Sequence, residues 1–229
     1  MHHPLHAARL WTAAALATLL ISQPAFTAKA PPAGSLSPQT IKKIDDAAAE
    51  VLKKTAVPST SIAVVQDGRI VYLHAYGNAR LEPSVPADPA LRYGIGSISK
   101  QFTASALLLL QQDGKLLLDD KVAKYLPDLT RAGDITIRQL LSHTSGYQDY
   151  WPQDYMFPLM IQPISPEGIM DRWARQPLDY EPGAKWQYSN TGYVIAGRIV
   201  EKASRKPLFQ FLRERIFEPL KMATAHDFD

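Results

Sequence analysis

Ser97 and Lys100 stand three residues apart in Gly96-Ser97-Ile98-Ser99-Lys100, at the start of a long apolar segment that reads as helix. That spacing places hydroxyl and amine on one helix face, a turn apart. A serine hydroxyl is a poor nucleophile until a base takes its proton, and a lysine serves only where burial or a helix N-terminus disfavours its charged form. The same helix start presents backbone N–H groups, that of Ser97 included, to the oxyanion of an acyl-transfer intermediate. The plain alternative makes Ser97 a helix N-cap and Lys100 a solvated side chain. The S-x-x-K pattern arises by chance about once in a chain of this length, so context has to decide.

A second group, Tyr188-Ser189-Asn190, lies 91 residues downstream of Ser97. Its phenol can share a proton with Lys100, and its amide can hold a substrate carbonyl. Asn190 is equally a plausible N-cap for a helix beginning at Thr191. Tyr76-Gly77-Asn78 carries the same Y-x-N pattern at a strand end, so the tripeptide alone settles nothing. A Ser97/His143/Asp triad is a further arrangement to weigh. The nucleophile-elbow pattern G-x-S-x-G is absent, since position 95 is isoleucine, which disfavours an α/β-hydrolase.

The elements that must position these groups are legible in outline. Ile41, Ile44, Ala48, Val51 and Leu52 recur at helical spacing, predicting a first helix over 38–54. Ser61–Val65 and Ile70–Tyr76 are β-rich and flank Gln66-Asp67-Gly68-Arg69, where Asp-Gly supplies the positive φ angles of a tight hairpin. These form an antiparallel pair, and two strands alone make a marginal sheet. From Ser97 helices take over. The first, to Gln112, is apolar on nearly every face and closed by Asp113-Gly114, so it reads as a buried central helix. Thr136 and Gln139 form a capping box for a short helix ending near Ser142. Ser165-Pro166 starts another, reaching about Gln176. Helices follow from about Thr191 to Ser204, with Ile195, Ala196, Ile199, Val200 and Ala203 inward, and from Pro207 through Phe217. The aromatic- and proline-rich stretch 147–163 lacks periodicity and reads as a pocket-lining loop.

Composition narrows the chemistry. The 229 residues are 46% hydrophobic and 21% charged, an ordinary globular balance. There is no cysteine, which removes disulfides, thiolate catalysis and cysteine-ligated metal. Of six histidines, His2, His3 and His6 fall in the first residues, while His74, His143 and His226 show no ligand spacing. Neither a metal nor another cofactor is expected. The formal charge of +3 is spread along the chain, which gives no reason to expect nucleic acid as a partner. A basic start ending at Arg9, a twelve-residue mostly apolar run over Leu10–Ile21 and small residues to Ala30 have the layout of a signal peptide. Cleavage is expected between Ala25 and Ala30, because a membrane span takes about 20 apolar residues. The expected location is periplasmic or secreted, with no stable membrane span after cleavage.

The ordered segments Tyr93-Gly94-Ile95-Gly96-Ser97-Ile98-Ser99-Lys100-Gln101-Phe102-Thr103-Ala104, Gly114-Lys115-Leu116, Asp119-Asp120, Tyr125-Leu126-Pro127, Ile135-Thr136-Ile137-Arg138-Gln139-Leu140-Leu141-Ser142-His143-Thr144-Ser145-Gly146, Tyr188-Ser189-Asn190-Thr191-Gly192-Tyr193 and Pro219-Leu220-Lys221-Met222 closely resemble the serine β-lactamase and DD-peptidase (penicillin-binding) family, nearest its class C-like branch. The resemblance runs from about Val57 to the end. It implies an α+β fold with a helical subdomain and an antiparallel sheet subdomain. The corresponding division is a signal peptide over 1–30, a flexible lead-in over 31–38, the N-terminal helix and hairpin over 39–96, and the mostly helical part with the catalytic helix over 97–229. It further implies that Ser97 is the acylated nucleophile, Lys100 its proton acceptor, Tyr188 the relay to the leaving group and Asn190 a substrate contact. The segment matching His143-Thr144-Ser145-Gly146 is implied to be a structural turn beside the site. Family members continue into further strands, a C-terminal helix and a K-T-G or H-x-G strand that this sequence does not contain, so the sheet is expected to be incomplete.

The activity so implied is that of a serine hydrolase forming an acyl-enzyme with a small ester or amide, such as a β-lactam, a D-alanyl peptide or a simple ester. The alternative is a non-catalytic or truncated penicillin-binding-like sensor. The expected partner is a small or peptidoglycan-derived molecule.

Overall fold

The computed structural model describes residues 35–151 and 162–227; the leader and much of the aromatic loop read from the sequence lie outside the described residues. The chain divides between Leu91 and Arg92 into two compact units.

In the first unit, helix α1 spans Pro38–Thr55. Ser37 caps it, its hydroxyl accepting from the Thr40 N–H at 3.1 Å, and Pro38 at the first position sacrifices no helical hydrogen bond. Strands β1 (Ser59–Gln66) and β2 (Arg69–Arg80) form an antiparallel hairpin. Asp67 (φ 51°) and Gly68 (φ 72°) both take left-handed angles, matching the right-handed twist of the strands they join. Thr60 faces Tyr76, Ile62 faces His74 and Val64 faces Tyr72, with a register shift between Val64 and Val65. The Tyr72 and Tyr76 hydroxyls donate to one Asp45 carboxylate oxygen at 3.0 and 2.6 Å, which fastens α1 to that face of the hairpin.

The sheet departs from the sequence expectation in one respect. β2 runs four residues past Tyr76, and a short third strand, β3 (Val85–Pro86), pairs with Asn78 and Arg80. The apolar alternation that marks a half-buried strand is missing there, since Val85 is exposed and Pro86 offers no N–H, so periodicity could not reveal it.

The second unit holds the main apolar core. A single 3₁₀ turn, Gly96–Ser99, leads into α2 (Lys100–Gln112). Gly114 closes α2 at φ 71°, the Lys115 N–H reaching back to the Leu110 carbonyl. Only one stripe of α2 is buried, formed by Thr103, Ala106, Leu107 and Leu110, while Leu108 is 49% exposed. This corrects the expectation of burial on nearly every face. Each residue turns the side-chain direction by about 100°, so Leu108 points away from the surface that Leu107 covers.

Helix α3 (Ile137–Leu141) has the expected capping box: the Thr136 hydroxyl accepts from the Gln139 N–H and the Gln139 side chain accepts from the Thr136 N–H. Helix α4 (Pro166–Ile169) and helix α6 (Leu208–Leu212) each pass into a wider π turn, at Met170–Ala174 and Arg213–Phe217. Between them lies α5 (Asn190–Ser204), whose Ile195, Ala196, Ile199 and Val200 are fully buried against α2, α3 and the last turns. A scaffold of this kind leaves the starts of α2 and α5 free to carry chemistry.

Candidate active site

The second unit brings all four sequence-predicted site residues together at the starts of α2 and α5. The hydroxyls of Ser97 and Tyr188 lie 2.5 Å apart. Lys100 Nζ donates to Ser97 Oγ at 3.0 Å and to Asn190 Oδ1 at 2.7 Å. It also sits 4.8 Å from the Tyr188 ring centroid and 5.6 Å from that of Tyr193, where aromatic faces favour a cation. Ser97 and Tyr188 are exposed, whereas Lys100 and Asn190 are half-buried, so the paired hydroxyls are open to solvent while the amine and amide beside them are partly shielded.

Tyr188 arrives by backbone lacing. The segment 179–187 runs along the turn at 143–146, with N–H groups of Asp179, Gly183 and Gln187 donating to the carbonyls of Gly146, Thr144 and His143 at 2.8–2.9 Å. The turn has to be glycine-tight at Gly146, where φ is 86° and a Cβ would fall 2.3 Å from the Tyr180 carbonyl oxygen. His143 itself has φ 59°. Its ring lies 4.6 Å from that of Tyr188 and 5.2 Å from that of Tyr193, and the Tyr193 hydroxyl is anchored on the Leu141 carbonyl at 3.0 Å.

The start of α5 is fully capped, though not by the expected residue. Ser189 is the N-cap, accepting from the Gly192 N–H at 3.1 Å, and the Ser189 N–H donates to His143 Nδ1 at 3.1 Å. Asp149 accepts from the N–H groups of Asn190 (2.8 Å) and Thr191 (3.4 Å). This carboxylate therefore takes the first two free donors of the helix, where negative charge is favoured. The Asn190 side chain is released from capping and turns to Lys100 instead. Asp149 escaped the sequence reading because it sits in an aperiodic stretch; a carboxylate shortly after the His143–Gly146 turn was the only available signal.

The electrostatics follow from this packing. Burial alone would raise the Tyr188 phenol, but its interactions with Lys100 and Ser97 and the nearby ammonium charge outweigh burial, and the phenol lies below its ordinary value. His143 is pushed down by burial first and by the charge of Lys100 second. Its Nδ1 accepts the Ser189 N–H, so the neutral ring is the form that fits, with its proton on Nε2.

His143 gives a stability prediction. An unfolded imidazole titrates near 6.5, and the folded value is lower, so between the two the unfolded chain binds a proton that the folded chain does not. The stabilisation is present in full above about pH 6.5 and is lost as pH falls through that window. Melting temperatures measured from pH 7.5 to 5 are expected to fall for the wild-type chain and to change less for His143→Gln. An unchanged slope in the variant would refute the assignment.

The sequence profile of the family described as Beta-lactamase matches residues 44–226. The chain belongs to the beta-lactamase family. Within that family it is 35% identical over 164 residues to penicillin-binding protein 4* of Bacillus subtilis, a match covering 71% of this chain and 36% of that protein. Two solved structures are similar in fold. One is an octameric penicillin-binding protein homologue from Pyrococcus abyssi, with TM-score 0.72, 32% identity, and coverage of 80% of this chain and 43% of that one. The other is the D-amino acid amidase of Ochrobactrum anthropi, with TM-score 0.70, 32% identity and coverage of 82% and 55%. The chain thus spans roughly a third to a half of the length of these family members. Their folds agree with an α+β assignment built from helices and a small antiparallel sheet.

Proposed function

We propose that this chain belongs to an exported serine hydrolase, which forms an acyl-enzyme on Ser97 with a small ester or amide such as a β-lactam, a D-alanyl peptide or a simple ester. The observation that carries this reading is the 2.5 Å approach of the Ser97 and Tyr188 hydroxyls beside the Lys100 ammonium. Family membership supports the reaction class, and the signal-like leader supports export.

In the proposed reaction, Ser97 Oγ attacks the substrate carbonyl carbon while its proton passes to the Tyr188 oxygen. A carbon–oxygen bond forms and the carbonyl electrons move onto the oxygen. The Ser97 N–H, in the turn leading into α2, is the donor assigned to that oxyanion in this reading. Collapse of the intermediate breaks the bond to the leaving amine or alkoxide, which takes the proton from Tyr188. Water then hydrolyses the ester, releasing the acid and restoring Ser97. Lys100 holds Tyr188 in readiness, because a cation beside the phenol favours its ionised form. This assigns the proton-accepting role to Tyr188, with Lys100 as the charge that makes it competent. Asn190 has both ends of its amide engaged within the protein, so its contribution runs through Lys100.

The direct test is intact-mass measurement after incubation with a fluorophosphonate and, separately, a penicillin, followed by peptide mapping. A stoichiometric adduct on the peptide containing Ser97 supports the reading, and the reagent that labels indicates the substrate class. A folded chain that takes up neither reagent, or is labelled elsewhere, overturns it.

A further inference from the structure

Asp149 holds more than the start of α5. Its second carboxylate oxygen accepts from Asn190 Nδ2 at 3.1 Å, while Asn190 Oδ1 accepts from Lys100 at 2.7 Å. An asparagine amide has a donor end and an acceptor end, and a carboxylate can only accept. Once Asp149 occupies one side, Nδ2 has to face it and Oδ1 has to face Lys100. In the opposite orientation the NH₂ group would meet a lysine ammonium and the carbonyl would meet a carboxylate, two repulsive contacts in place of two hydrogen bonds. We propose that Asp149 is a positioning residue that fixes the polarity of the Asn190 amide and through it the place of Lys100 beside Ser97. The inference rests on the acyl-enzyme reading for its effect on rate, but the polarity of the amide stands apart from that reading.

The geometry makes the arrangement one connected chain: Asp149 to Asn190, Asn190 to Lys100, Lys100 to Ser97. Asp149 is in turn held by the Asn190 and Thr191 N–H groups, and the neighbouring Tyr150 N–H donates to the Thr191 hydroxyl at 3.0 Å. Thr191 is fully buried, so the carboxylate is referenced to the packed end of α5. Lysine has a flexible four-carbon stem and holds no fixed direction unless an acceptor supplies one.

Asp149→Asn keeps the size and removes the acceptor-only character. The introduced amide can satisfy the two backbone N–H groups with its oxygen only by pointing NH₂ at the NH₂ of Asn190. Losing a charge-assisted hydrogen bond at this place is expected to slow fluorophosphonate labelling of Ser97 by about 10- to 100-fold. The exchange-protected side-chain amide protons of Asn190, identified in ¹H–¹⁵N NMR by their disappearance in Asn190→Asp, are expected to lose protection in Asp149→Asn. The exchanged pair Asp149→Asn with Asn190→Asp restores every donor to an acceptor, with the introduced carboxylate taking Lys100 on one side and the introduced amide on the other. It is expected to recover most of the labelling rate. A helix cap without a role in positioning predicts a lower melting temperature, an unchanged Asn190 amide signal and no recovery in the exchanged pair, and that outcome overturns the proposal. A wild-type chain that is never acylated would overturn the hydrolase reading and leave the amide signal to decide the role of Asp149.

Discussion

Lys100→Ala is expected to slow acylation of Ser97 by about 10²- to 10³-fold, the range for losing one electrostatic stabiliser in a site, without unfolding the chain. Lys100 Nζ touches Ser97 Oγ and Asn190 Oδ1 and lies against the Tyr188 and Tyr193 rings. None of these contacts belongs to the buried apolar core, to which the neighbouring Ala106 and Leu107 contribute. The loss should therefore appear in the labelling rate, with the melting temperature changing little. Removing the ammonium takes away the hydrogen bond and charge that lower the Tyr188 phenol most, so burial is opposed chiefly by the Ser97 hydrogen bond and less of the proton-accepting form is present at neutral pH. Lys100→Arg is expected to rescue poorly, since a planar guanidinium cannot occupy the point position between Ser97, Asn190 and two ring faces. Labelling of Lys100→Ala at the wild-type rate would mean that the ammonium has no part in activating Ser97.

Tyr188→Phe is expected to cost about 10²-fold or more and, more diagnostically, to change the pH profile. In the proposed reaction the Ser97 proton is taken by the phenolate oxygen. Acylation should then rise with pH and level off at a midpoint below the ordinary tyrosine value near 10. The sign follows from the form required: lowering the phenol pKa enlarges the ionised fraction at any pH beneath the plateau. Phenylalanine retains the ring that His143 and Lys100 pack against, so folding should survive, while the rising limb should vanish. Rate constants for fluorophosphonate labelling from pH 6 to 10 on both proteins decide the matter. An identical rising limb in Tyr188→Phe would assign the proton transfer to another group.

Much of the fold was legible from local pattern. Ile41, Ile44, Ala48, Val51 and Leu52 announce α1, Asp67-Gly68 announces the hairpin, and Thr136 with Gln139 announces α3, because each signal acts within a few residues through helical periodicity, a positive φ angle or a reciprocal hydrogen bond. Signals that depend on a distant partner misled or were silent. β3 is held by its ladder to Asn78 and Arg80 without apolar alternation of its own. Leu108, apolar in sequence, faces outward because the buried stripe of α2 is set by where α5 packs. Asn190 has the composition of a helix cap, yet Ser189 takes that role.

The candidate site divides along the same line. By itself the sequence determined that Ser97 and Lys100 share a helix face, since three residues of separation require it once the segment is helical. It also supplied, through ordered motifs, the resemblance that singles out Tyr188 and Asn190. Tertiary structure alone decided that Tyr188 reaches Ser97 across 91 residues, that His143 accepts the Ser189 N–H, and that Asp149 orients the Asn190 amide toward Lys100. A hydrogen bond depends on distance and direction between particular atoms. For residues far apart in the chain, both are set by how α2, α5 and the turn at 143–146 pack, which no local pattern encodes.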